Sequence, residues 1–265
     1  MDSTKVVASR LALEWVLELN EALPGATCSY IFAGRDKDGQ EVVLKVPEAH
    51  AEEKDSWPVS QSFSGHGGVS ILRVDQESGS VLMPRLRPGT TLADTTLPDE
   101  ERVEICASII LKLRKSPFVQ TMSMERWLKE LFEFEGDSLL REAQEIAKFL
   151  MQTTTDPILL HGDLHHYNIL RDGEEWRVID PKGIIGDRAF EVVSYMRNPW
   201  HGPHQPRVMA ARLELFSKLL GDDLYRLWGW SFVQTLLCSL QSDGDPFDPL
   251  PMREAAEAIY AARPG

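Results

Sequence analysis

His161, Gly162, Asp163, Leu164, His165, His166, Tyr167 and Asn168 run consecutively, and Asp180 follows twelve positions later within Ile179-Asp180-Pro181-Lys182-Gly183. One short loop and one hairpin would bring an Asp, an Asn and a second Asp together. That set suits phosphoryl transfer from a nucleotide. Such transfer needs a carboxylate to orient the attacking hydroxyl and hard oxygen ligands to hold Mg2+ on the phosphates.

The elements that must position these residues are legible around them. Ile158-Leu159-Leu160 is an apolar run leading into the His-Gly turn, and Asp172-Gly173 is a hairpin signal between Ile169-Leu170-Arg171 and Trp176-Arg177-Val178-Ile179. A hairpin of that length returns the chain beside its start, so Asp180 is expected near Asn168 and Asp163. Taken singly, each of the three has an ordinary structural explanation as a helix cap, a turn residue or a loop residue. In this order and spacing they point to a shared site.

HGDxxxxN followed by an Asp at a strand end resembles the catalytic and metal loops of the protein-kinase-like fold, in its aminoglycoside phosphotransferase branch. Asp-Pro-Lys-Gly in place of Asp-Phe-Gly is most similar to the streptomycin 6-kinase and hydroxyurea-resistance kinase group. Further segments share the resemblance: Leu23 to Tyr30, Asp38-Gly39, Val42 to Val46, Gly65 to Val69, Leu86 to Leu92, Arg197-Asn198-Pro199, and the stretch around Trp228 and Trp230. The resemblance implies an α+β, two-lobed fold with a small antiparallel β-sheet N-lobe (residues 1–86) and a mainly helical C-lobe (87–265). It also implies ATP and Mg2+ as cofactors, and transfer of the γ-phosphate to a small-molecule hydroxyl of the streptomycin type. Rival readings are another small-molecule kinase of the same fold, acting on hydroxyurea, a sugar or a choline-like alcohol, and a non-catalytic nucleotide-binding relative.

Composition agrees. A chain of 265 residues, 43% hydrophobic and 26% charged, can bury a substantial core. No apolar run approaches the roughly 18 residues needed to span a bilayer, and the start of the chain lacks the pattern of an export signal. The three cysteines, Cys28, Cys106 and Cys238, are far apart and fit a reduced, cytoplasmic protein. The net charge of -13 argues against nucleic acid and favours a cationic small-molecule acceptor. A monomer or weak dimer is expected.

Apolar spacing predicts a helix over 8–21. Strands are expected over 28–33, 41–46, 70–74 and 80–83, with a hinge from Met83 to Pro88. Helices are expected over 99–116, 124–135, 138–152, 206–220, 224–242 and 252–262. Lys45, among Val42, Val43, Leu44 and Val46, is either an edge charge or a point charge aimed at an anion. The resemblance assigns it to the phosphates, with Glu53 as its carboxylate partner although Pro58 interrupts that region. The loop over the phosphates lacks GxGxxG, leaving Ser29 as a phosphate contact; Met83 and Leu86 would border the adenine.

In the implied chemistry Asp163 accepts or orients the substrate hydroxyl proton, and Asn168 and Asp180 ligate Mg2+. Lys182 either stabilises the transferred phosphoryl or pairs with Asp187. His161 buttresses the loop. His165 and His166, being adjacent, make a poor zinc pair. Asp187, Glu191 and Trp200 are candidate acceptor contacts, with Asp187 and Glu191 open to a second reading as buried anchors. Trp228 and Trp230 are read as core or as sugar-stacking faces.

Overall fold

The computed structural model describes residues 3–23, 29–48, 52–199, 204–241 and 250–265. Helix α1 (Ser3–Trp15) ends where Val16 adopts φ 56°. A β-branched residue reaches that left-handed region only at a cost, so the helix stops. The chain then enters strand β1 (Glu18–Leu23), which pairs antiparallel with β2 (Ser29–Arg35). The helix expected over 8–21 is therefore shorter, shifted towards the start and followed by an edge strand. Glu-Leu-Asn-Glu-Ala-Leu has no strong strand propensity, and it is the pairing with β2 that makes it a strand.

β2 continues into β3 (Glu41–Pro47), helix α2 (Trp57–Phe63), β4 (Arg73–Asp75) and β5 (Ser80–Pro84). The sheet order is β1-β2-β3-β5-β4, antiparallel throughout, with β3 at its centre. Burial alternates along β3: Val42, Leu44 and Val46 join Ala8, Leu11, Leu17, Phe32 and Leu82 in a small core under α1. Period-two geometry therefore sends Val43 and Lys45 to the opposite face.

A second, larger core lies beyond β6 (Pro88–Thr91). It is built by α3 (Asp99–Leu113), α5 (Ser138–Gln152), α7 (Pro206–Leu220), α8 (Leu224–Gln241) and α9 (Leu250–Ala261), with short β7 (Met122–Ser123), α4 (Met124–Trp127) and α6 (Val193–Met196) between them. Val59 and Phe63 of α2 also belong to this larger core. The helix expected over 124–135 is broken into α4 and a 3-10 turn at Lys129–Phe132. Trp127 Nε1 donates to Gln234 of α8 (2.9 Å) as the first turn ends, a tertiary tie that periodicity does not encode.

Four short strands place the loops of interest. β8 (Ile158–Leu160) pairs antiparallel with β11 (Ile184–Gly186), while β9 (Ile169–Asp172) and β10 (Glu175–Val178) form the expected Asp-Gly hairpin, with β6 on the far side of β9. The loop from 161 to 168 joins β8 to β9, and the loop from 179 to 183 joins β10 to β11. Each loop is thus held at both ends by a strand paired with a strand of the other.

Candidate active site

The strand pairings are continued by loop hydrogen bonds. Ile179 N donates to Asn168 O (3.1 Å), and Lys182 N and Gly183 N both donate to His161 O (2.9 and 3.1 Å). Two glycines permit this closeness. Gly162 has φ 81° and a Cβ there would lie 2.9 Å from Ile184 Cδ1; Gly183 has φ 79° and a Cβ would lie 2.5 Å from Val59 Cγ2. Asp180 itself sits at φ 65°, an uncommon conformation that surrounding structure must hold in place.

His161 is fully buried, stacked on Phe63 at 6.2 Å between centroids. Its Nε2 contacts Ile179 O (3.0 Å) and its Nδ1 accepts from Asp163 N (3.3 Å). Burial lowers its pKa to about 4 despite nearby Asp163, so the ring is neutral with its proton on Nε2. One imidazole therefore ties the residue before Asp180 to the backbone of Asp163.

The Asp163 carboxylate lies between two donors. Arg197 Nη2 is 3.4 Å from Oδ1 and His165 Nε2 is 3.5 Å from Oδ2. Burial pushes the carboxyl up, but His165 and Arg197 outweigh it and hold Asp163 well below the usual carboxylate range. It is ionised at every physiological pH. Such a weak base orients a hydroxyl more readily than it keeps the proton. Arg197, the residue that ends α6, carries no spacing signal in the sequence; only tertiary structure brings it to Asp163.

Asn168 is buried, and its Nδ2 donates to Asp163 O (3.0 Å), so its amide oxygen is the atom available to a cation. Asp180 pairs with Lys45, which reaches across from the central strand of the small sheet. An amide oxygen and a carboxylate oxygen are a donor set that fits Mg2+, with phosphate and water oxygens completing its shell. Among the described residues no group of three or more His, Cys, Asp or Glu side chains is placed to hold a metal. His165 is partly exposed, while His166 is buried and stacked on Tyr195 at 4.0 Å. The two rings do not share a ligand.

Lys182 lies in the same loop, its Cβ against the space beside Gly162. Met83 pairs with Val43 near the end of β5, with Leu86 just beyond that strand. Ser29 starts β2, opposite Pro47. The Glu53 side chain and all of Trp200 lie outside the described residues, as does the Gly25 to Cys28 stretch.

Both acidic acceptor candidates are buried. Asp187 accepts from Arg226 Nε and Trp230 Nε1 (both 2.7 Å) and from Ala189 N (3.1 Å), so it anchors α8. Trp228 and Trp230 are fully buried, which removes them as stacking faces. Glu191, 3% exposed, accepts from His161 N (2.9 Å) and Gly162 N (3.2 Å) behind the loop.

Burial raises Glu191 to about 7, against the pull of those two N-H groups and of Arg114. The folded carboxyl thus holds its proton to a higher pH than the ordinary 4.5. This group favours the folded state below pH 4.5, and the contribution is lost as pH rises through about 7. Activity should run the other way, because only the ionised carboxylate accepts from both N-H groups. Urea midpoints at pH 5 and 8 should show wild type losing stability relative to Glu191→Gln, by up to about 1.4 kcal/mol per pH unit over the titration. Over the same interval wild-type kcat should rise.

Residues 14–245 match the aminoglycoside/hydroxyurea antibiotic resistance kinases. The chain belongs to that family. This resistance-kinase relative is 25% identical to the streptomycin 6-kinase of Streptomyces glaucescens, the alignment covering 89% of this chain and 82% of that protein. It is 29% identical to the hydroxyurea phosphotransferase of Kitasatospora aureofaciens, covering 83% and 68% respectively. The fold is that of an aminoglycoside phosphotransferase solved with ADP and hygromycin B, at TM-score 0.68 and 17% identity over 98% of this chain and 99% of that one. The kinase-like, two-lobed α+β architecture and a phosphotransferase activity on hydroxyl acceptors follow from membership. Among the described residues no helix is long and apolar enough to cross a membrane.

Proposed function

We propose that this kinase moves the γ-phosphate of ATP, with Mg2+, to a hydroxyl of an aminoglycoside of the streptomycin type. The observation that carries the reading is the ionised Asp163, held between His165 and Arg197 beside Asn168 and the Lys45–Asp180 pair. Residues 1–86 would form the nucleotide-side lobe and 87–265 the catalytic lobe, in a cytoplasmic monomer or weak dimer.

Asp163 orients the acceptor hydroxyl in line with the phosphorus. Asn168 and Asp180 would hold Mg2+, which when bound offsets phosphate charge. Lys45 donates to phosphate oxygens, Lys182 approaches the transferred group from the other loop, and Met83, Leu86 and Ser29 border the nucleotide. The work is positioning and electrostatics. No step needs a covalent enzyme intermediate.

Purified protein should consume ATP in the presence of Mg2+ and streptomycin, with NMR of the product giving the hydroxyl modified. ATP consumption only with hydroxyurea or simple alcohols would overturn the aminoglycoside reading. The burial of Asp187 and Glu191 favours that second reading in one respect, since both carboxylates expected to meet a cationic acceptor are turned inward.

A further inference from the structure

The loop that carries Asp163 alternates in exposure. Leu164, His166 and Asn168 are buried, whereas Asp163, His165 and Tyr167 share the open side, with Tyr167 45% exposed. Buried anchors at every second position fix the loop and leave the other three side chains as a stripe.

The stripe is internally ordered. Tyr167 N donates to His165 Nδ1 (3.2 Å), and the two rings meet edge to face at 5.8 Å between centroids, 72° between planes. The other ring nitrogen, Nε2, lies 3.5 Å from Asp163 Oδ2 and 3.4 Å from Asn168 Nδ2. A lone exposed tyrosine on a surface needs no explanation. This one is different: it is flanked by a metal-ligand candidate and linked through a single imidazole to the carboxylate that orients the acceptor.

We propose that Tyr167 is the acceptor platform of this enzyme, its ring receiving the face of a cyclic alcohol whose reacting hydroxyl lies on Asp163. The inference rests on the phosphotransferase reading above and narrows its substrate class. The Tyr167 and His165 ring centroids are 5.8 Å apart and His165 Nε2 is a further 3.5 Å from Asp163, so an acceptor that touches both residues must carry rings that reach past the imidazole, as a glycoside of sugar and cyclitol rings does and an acyclic molecule of a few atoms does not. An aromatic face also attracts ammonium or guanidinium substituents, which supplies recognition of a cationic acceptor without the buried Asp187 and Glu191. Hydroxyurea would reach Asp163 alone.

The test compares Tyr167→Ala and Tyr167→Phe. With streptomycin as acceptor, the Ala variant should raise the acceptor KM about 3- to 30-fold, leave the KM for ATP unchanged, and leave hydroxyurea turnover, where present, unaffected. The Phe variant should behave as wild type, because the ring face and not the hydroxyl makes the contact. Calorimetric titration of streptomycin into the protein with Mg-ADP gives a second readout that does not depend on chemistry. Binding weakened in the Ala variant, without turnover in wild type, would defeat the aminoglycoside-kinase reading and keep Tyr167 as a binding platform. Unchanged acceptor KM and affinity in the Ala variant, or no streptomycin binding to wild type at all, would overturn the platform.

Discussion

Asp163→Ala should lower kcat by at least about 10³-fold with the protein still folded, the loss combining an oriented attack with hydrogen bonding to the hydroxyl. The fold should survive because the main chain at this position is held independently, by His161 Nδ1 on its N-H and Asn168 Nδ2 on its carbonyl. Removal of the carboxylate also leaves Arg197 and His165 facing each other without the anion between them. Steady-state kinetics with saturating acceptor, alongside circular dichroism, separate lost chemistry from lost structure. Turnover within tenfold of wild type would remove Asp163 from its assigned role.

Arg226→Met is expected to destabilise the protein by about 3–5 kcal/mol, the cost of stranding a buried carboxylate without its cation. Arg226 donates to Asp187, to Thr153 and Thr154 hydroxyls and to Leu150 O, joining the end of α5 to the start of α8. Asp187 is 6% exposed and keeps only Trp230 Nε1 and Ala189 N once Arg226 is gone. A chain of this size should then unfold roughly 10 °C lower in a thermal scan. Asp187→Asn provides the matching control: a lower melting temperature with an unchanged acceptor KM is expected of an anchor. A raised acceptor KM at unchanged stability would restore Asp187 to the acceptor site.

The contrast between Asp163 and Asp187 marks what a linear reading distinguishes. Both are aspartates in short polar stretches of the same segment. Asp163 was legible because its partners Asn168 and Asp180 lie close in sequence, joined by a hairpin whose Asp172-Gly173 turn is itself encoded locally. Asp187 was ambiguous because what decides its role, Arg226 and Trp230, lies some forty residues away on another helix. Burial is a property of what surrounds a residue, and local pattern reports only its own element.

Secondary structure divides in the same way. The long amphipathic helices over 138–152 and 206–220 appear where periodicity predicts them, since their apolar stripes are complete within one element. The strand Glu18–Leu23 carries no such signal, because it depends on a partner strand and not on its own pattern.

The sequence by itself determined the reaction class, through the order and spacing of Asp163, Asn168 and Asp180, the hairpin between them, and an apolar strand carrying Lys45. Tertiary structure alone decided which groups surround that set. It brought Arg197 to Asp163, put Lys45 on Asp180 across the two lobes, sank Asp187 and Glu191 into the interior, and turned Tyr167 outward. The physical reason is range. Hydrogen-bonded turns and strand pairs act between near neighbours in the chain, whereas charge pairing and burial act through space, between residues the sequence holds far apart.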